Sequence, residues 1–119
     1  MVLKIGGSFL IKPGSSEPDV VELRQMASVV SELLASDATR RLVIIVGGGV
    51  SARNYIAAAS ALGSSAGLMD HLGILVSRLN ARVFVEALRE ANVTDVWPEP
   101  AESLQDLRCV WPQCCQTWY

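Results

Sequence analysis

The chain is short of the residues that build most metal and redox sites. In 119 residues it has one histidine and three cysteines. His71 has no second histidine beside it, and Cys109, Cys114 and Cys115 lack a fourth ligand at zinc spacing. An odd cysteine count, with two of the three adjacent, is also a poor disulfide framework. Long apolar runs are missing too. Half of the residues are hydrophobic and the mean hydropathy is +0.33, yet no run approaches the ~20 residues needed to cross a bilayer. Positive charge is not in excess: ten Lys and Arg stand against twelve Asp and Glu, giving a net charge of −2 and a pI near 5.3. That balance argues against a broad nucleic-acid-binding surface. Gly6, Gly7 and Lys12 interrupt the apolar residues that follow Met1, so no secretory leader is read there and the expected location is cytoplasmic. The length suits one domain or part of one.

What the chain does have is organised around Leu42-Val-Ile-Ile-Val46 followed by Gly47-Gly48-Gly49. Five apolar, mostly β-branched residues read as a buried strand. Three glycines then let an anion approach main-chain N–H groups with no Cβ in the way. An amphipathic helix expected over Ser51–Leu62, stopping at Gly63, places a positive dipole end behind them. A second strand, Val2–Ile5, ends in the same manner at Gly6-Gly7-Ser8. Lys4 in that strand faces either solvent or a site.

A loop over Phe9–Glu17 precedes a helix expected from Pro18 to Ala35, capped by Ser16. Val20, Leu23, Met26, Ala27, Val30, Leu33 and Leu34 give that helix a core-facing stripe. The order strand, glycine turn, helix, strand, glycine turn, helix implies a parallel sheet in an α/β fold. Ligands in such sheets sit at the carboxyl ends of the strands, so both glycine turns should share one edge. Arg53, in the first turn of its helix, is either a tolerated surface cation or aimed at the same anion as the glycines.

A long helix is expected over Ala66–Glu90. Leu68, Leu72, Leu75, Leu79 and Val83 form its apolar stripe, broadened by Ile74, Val85 and Leu88. Asp70, Gly73, Ser77 and Asn80 form a narrow polar or small face. Asp70 suits either the helix dipole or hydrogen bonds from a sugar or base. Arg78, Arg82, Glu86 and Arg89 read as a solvated, salt-bridged face. Beyond Ala91, Val93–Val96 reads as a strand, Ala101–Leu107 as a short helix and Arg108–Val110 as another strand. The ending from Trp111 to Tyr119 shows no period.

Lys4-Ile-Gly-Gly-Ser8 resembles the opening signature of the amino acid kinase superfamily. Val46-Gly-Gly-Gly49 with Ala52-Arg-Asn-Tyr-Ile56 resembles the second signature of its uridylate kinases. Met69-Asp-His-Leu-Gly-Ile74 with Ser77-Arg-Leu-Asn-Ala81 is similar to the helix lining the UMP site in archaeal-type UMP kinases. The resemblance runs from about Val2 to Leu88. It implies a three-layer αβα fold with a mainly parallel sheet, and ATP-dependent phosphorylation of UMP to UDP in pyrimidine nucleotide biosynthesis. Mg²⁺ would arrive with ATP; no protein ligand for it is identified.

By position, the resemblance puts Gly7, Ser8, Gly49 and Arg53 at ATP and Gly48 and Asp70 at UMP. Lys4 would be the catalytic lysine that neutralises the transferring phosphoryl group. The 66–90 helix would form a dimer with its copy, within a hexamer in some assemblies. Residues 1–90 would make the UMP-site half of the domain and 91–119 the remainder of that half, with a tail divergent after about 110. Such enzymes continue into a second glycine-rich loop and an Asn-Val-Asp-Gly segment. Neither is present in these 119 residues, so the chain is expected to be the N-terminal half, inactive or impaired alone, with an ending such as a shifted reading frame or splice would give. Two alternatives stand beside this: a kinase of the same superfamily acting on another small acid or phosphate, and a non-catalytic fragment.

Overall fold

Strands β1 (Val2–Ile5) and β2 (Leu42–Val46) lie side by side and parallel, in register from Val2 against Val43 to Ile5 against Val46. The computed structural model describes residues 1–110 and 117–118, with Val110, Thr117 and Trp118 described through their backbone. Parallel neighbours cannot be joined by a tight turn. Here helix α1 (Val20–Ala35) makes the connection. Side chains alternate across the sheet. Ile5, Leu42, Ile44 and Val46 are buried on one face with Leu23, Ala27, Val30 and Leu34 of α1. The opposite face carries Val2, Lys4, Val43 and Ile45; Val2 is 65% exposed and Ile45 49%. A short strand β3 (Thr117–Trp118) pairs parallel to β2 at Leu42 and Val43, giving the order β1-β2-β3. The α/β class and the parallel sheet expected from the sequence are therefore present.

Helix α2 (Gly49–Ala61) starts two residues earlier than its pattern predicts, directly out of the glycine turn. It ends where expected. Gly63 has φ +78, and the N–H groups of Gly63 and Ser64 return to the carbonyls of Ser60 and Ala59. Helix α3 (Ala66–Glu90) has the expected span.

Four local expectations are corrected. First, the cap of α1 is Asp19, not Ser16: its carboxylate accepts from Val21 N and Glu22 N at 3.1 and 3.3 Å. Pro18 is held extended by a bridge to Ile11, so the helix can begin only after it. Second, the loop at Phe9–Glu17 is partly ordered: a 3-10 turn covers Gly7–Leu10, and Leu10 and Ile11 are buried. Third, the leucine stripe of α3 faces outward. Leu68, Leu75, Leu79 and Val83 are exposed, while Val76, Ala81, Phe84, Val85, Ala87 and Leu88 form the seam to the core.

Fourth, neither late strand forms as predicted. Val93–Val96 follows a left-handed Asn92 at φ 63, which closes α3 through Val93 N to Leu88 O and Asn92 N to Arg89 O. Val93 is buried with Leu88 as the apolar contact of that closure, not as a strand residue. Arg108–Val110 belongs to helix α4 (Leu104–Val110), where Ser103 accepts from Asp106 N and Leu107 N and the helix runs on. Residues 111–116 and 119, which include Cys114 and Cys115, lie outside the described residues.

Between α1 and β2, Asp37 accepts from the hydroxyl and N–H of Thr39, and these bonds hold its carboxyl below the usual carboxylate range. A lowered folded-state value contributes stability above the ordinary range that is lost as pH falls through the lowered value.

The two glycine turns meet at the carboxyl edge of the sheet, as expected. Gly47 N donates to Ile5 O at 3.0 Å, extending the ladder by one rung. Gly7 is buried directly against Gly47 and Gly49; a Cβ on Gly7 would overlap the Gly47 carbonyl and the Gly49 amide. Gly49 has φ +61, and a Cβ there would lie 2.5 Å from Gly7 C and 2.8 Å from Ser8 N. Gly49→Ala therefore combines a left-handed penalty of ~1–2 kcal/mol with a backbone collision. Gly14, at φ +71 with open space around it, carries the penalty alone. Urea denaturation is expected to show Gly49→Ala losing clearly more stability than Gly14→Ala; equal losses would show that the two turns do not constrain each other. Phe84 is fully buried, so Phe84→Ala is expected to cost ~3–5 kcal/mol in the same measurement.

Candidate functional site

The first N–H groups of any α-helix have no intrahelical acceptor. In α2 these belong to Gly49 and the residues just after it, with Gly48 as the N-cap and no side chain capping them. The positive end of the helix dipole adds to their field. The Gly7–Ser8 backbone, from the end of the neighbouring strand, lies within van der Waals distance of Gly49. Main chain from two strand ends thus converges on one spot, and the lack of side chains at three of the four positions permits a backbone approach that a Cβ would block.

α3 seats this turn through the small and polar face recognised in the sequence. Asn80 is the one buried polar residue among the described ones, 8% exposed. Its Nδ2 donates to Gly47 O at 2.9 Å and to Gly48 O at 3.3 Å. One turn earlier, Ser77 Oγ donates to Gly73 O at 2.9 Å. A Cβ on Gly48 would stand 3.2 Å from Ser77 Oγ and 2.5 Å from the Ala52 methyl, so the seat fits glycine. The loop after β1 is tied to α2 as well: Asn54 Nδ2 donates to Ser16 Oγ at 3.2 Å and Ser51 Oγ to Ser16 O at 3.4 Å.

Of the residues singled out from the sequence, Gly7, Ser8, Gly48 and Gly49 are brought together. Asp70 lies on the same α3 face as Gly73, Ser77 and Asn80. It is exposed and lines a cleft of about 980 Å³ bounded by Val43–Val46 of β2, Ala52 and Ile56 of α2, and the stretch from Pro100 to Leu107. Lys4 is exposed on the sheet face of Val43 and Ile45. Arg53 is exposed too, but the early start of α2 at Gly49 moves it from the expected first turn into the second. Neither lines the cleft, and neither makes an ion pair or side-chain hydrogen bond with a described residue.

The basic face of α3 is salt-bridged as expected. Arg82 pairs with Glu99, and Arg89 with Glu86 at 2.8 Å. Arg78 departs from its reading as a purely solvated residue: it is partly buried, lines the cleft and reaches Glu102 at 3.4 Å. Among the described residues no three His, Cys, Asp or Glu side chains converge as a metal site, and no helix is long and apolar enough to cross a membrane.

Comparison with known proteins bears on this arrangement. The amino acid kinase family model matches residues 1–109. Uridylate kinase of Methanoregula boonei is 40% identical over 105 residues, covering 87% of this chain and 39% of that protein. Uridylate kinase of Hyperthermus butylicus is 38% identical over 107 residues, covering 90% and 42%. Among solved structures, uridylate kinase from Archaeoglobus fulgidus superposes with a TM-score of 0.72 at 25% identity, over 98% of this chain and 48% of that one. UMP kinase from Ureaplasma parvum shares the fold, at a TM-score of 0.71 and 20% identity. The chain spans about two fifths of the length of these curated relatives. Its strand-end glycine turns, its parallel sheet and a family match over residues 1–109 agree: the chain belongs to the amino acid kinase family.

Proposed function

We propose that this chain carries the acceptor half of a UMP kinase, which transfers the terminal phosphoryl group of ATP to UMP and yields UDP. The observation that carries the reading is the meeting of Gly7–Ser8 with Gly47–Gly49 at one sheet edge, with Asp70 on the helix that seats the second turn. The curated relatives named uridylate kinase support it. Phosphoryl transfer asks little covalent chemistry of a protein; it needs positioning and charge stabilisation.

In this reading Gly7, Ser8, Gly49 and Arg53 hold the phosphates of ATP. Gly48 contacts UMP, and Asp70 accepts hydrogen bonds from it, through the ribose. Lys4 neutralises the phosphoryl group in flight. Arg53 and Lys4 are suited to this because neither has a described carboxylate partner competing for its charge. Mg²⁺ normally rides on nucleotide phosphates with few protein ligands. The described residues offer it no carboxylate cage, so it would enter with ATP and shield the phosphate charge there.

The remaining three fifths of a relative's length would supply the second wall of the UMP site and the nucleoside pocket for ATP. Transfer by these 119 residues alone is therefore expected to be weak, and binding is the sharper observable. The outward stripe of Leu68, Leu75, Leu79 and Val83 suits a second copy of α3, which gives the reading a homodimer.

Two substitutions separate the roles. Asp70→Ala is expected to weaken UMP binding about tenfold and leave ATP unchanged, whereas Arg53→Ala should do the reverse, each with an unaltered circular dichroism spectrum. Calorimetric titration with each nucleotide reads both. Unchanged affinities in correctly folded variants would remove the assigned roles. Absence of UDP from ATP and UMP, in a version extended to the relatives' full length, would remove the activity.

A further inference from the structure

Asn80 is buried deep in α3, yet its side chain is spent on two main-chain carbonyls. A buried carboxamide facing two carbonyl oxygens must present its NH₂ to them, since its own oxygen would be repelled. The carbonyls are those of Gly47 and Gly48. In a trans peptide the C=O of one residue and the N–H of the next point in opposite directions. No described peptide bond is cis. Fixing Gly47 C=O toward α3 thus turns Gly48 N–H away from α3, and fixing Gly48 C=O turns Gly49 N–H away as well. Gly48 O is further held by Ala52 N at 3.3 Å, the opening bond of α2.

Glycine needs such a device more than other residues do. With no Cβ, the residues of Gly47-Gly48-Gly49 set little preference of their own for which way each peptide plane faces. A side chain that accepts one orientation and rejects the other replaces the missing steric control. We infer that Asn80 is a positioning residue that aims the Gly48 and Gly49 amides at a nucleotide phosphate by pinning the carbonyls behind them. The inference rests on the nucleotide reading of the site. It adds a residue that touches neither nucleotide and works through the turn.

Orientation of amides acts on phosphate and not on the nucleoside. The test therefore compares UMP with uridine in the 119-residue chain, using ¹⁵N–¹H shifts of Gly48 and Gly49 as the readout. In the wild type, UMP is expected to shift the Gly48 amide and ATP the Gly49 amide, and UMP to bind more tightly than uridine. Asn80→Leu keeps the branching at Cγ and removes the donor. It should lower UMP affinity about tenfold or more while leaving uridine affinity within twofold, because only the phosphate loses a hydrogen bond from an aimed amide. A purely structural role would lower both affinities together. Asn80→Gln, which keeps an amide donor on a longer arm, should recover part of the UMP preference.

If Asn80→Leu does not fold, Asn80→Ser gives the same comparison, because its hydroxyl is too short to hold both carbonyls. A folded Asn80→Leu or Asn80→Ser variant with an unchanged UMP-to-uridine ratio would overturn the inference and leave the nucleotide reading standing. A wild-type chain whose Gly48 and Gly49 amides ignore UMP and ATP would overturn both.

Discussion

The backbone of Gly7 lies against the backbone of Gly47 and Gly49 with no room for a methyl group between them. Most of the structure can be traced from that approach. It requires β1 and β2 to be adjacent, parallel and in the register that brings Ile5 opposite Val46. Parallel adjacency in turn requires a crossover, and α1 supplies it with one face of Leu23, Ala27, Val30 and Leu34 buried against the sheet. The turn after β2 opens directly into α2, and α3 then closes over both by packing Gly73, Ser77 and Asn80 behind the glycines. At the turns themselves it is main chain that meets main chain, and the surrounding packing holds it there.

The elements that carry this arrangement were legible because their signals are local and strong. Leu42–Val46 is short, apolar and β-branched, and its end is marked by three glycines. Gly63 stops α2 at the residue expected. The failures came where a local signal had a competitor, near in the chain or far from it. Ser16 looked like a cap, but it bonds to Asn54 in another helix, and Asp19 takes its place. Val93 looked like a strand residue, but it is the apolar partner of Leu88 across a left-handed Asn92. In α3, periodicity identified one broad apolar stripe and could not say which part of it faces the sheet. Phe84 and Leu88 do, and Leu79 does not.

The candidate site was legible in the same uneven way. Gly7, Ser8, Gly48 and Gly49 belong to short motifs, and proximity follows from the parallel sheet. Asp70 could be placed by its motif on the α3 face that backs the turn. The polar face through Asn80 was visible as a pattern, but its purpose was not. A side chain that bonds to carbonyls 33 and 32 residues away leaves no trace in local spacing. The cleft beside β2 was equally hidden, because its far wall is the stretch from Pro100 to Leu107, whose fold the sequence signals poorly.

The parallel pairing of β1 with β2 has a consequence for how folding and binding depend on each other. Gly7 and Gly47 are forty residues apart, so the two glycine turns come together only through the non-local step of strand pairing. Their junction is absent from the unfolded chain. Any ligand that bridges the two turns therefore binds the folded state alone and shifts the folding equilibrium by mass action, by ~2.7 kcal/mol at a hundredfold excess over its Kd. Occupancy of the glycine turns and persistence of the fold then become the same equilibrium seen from two sides.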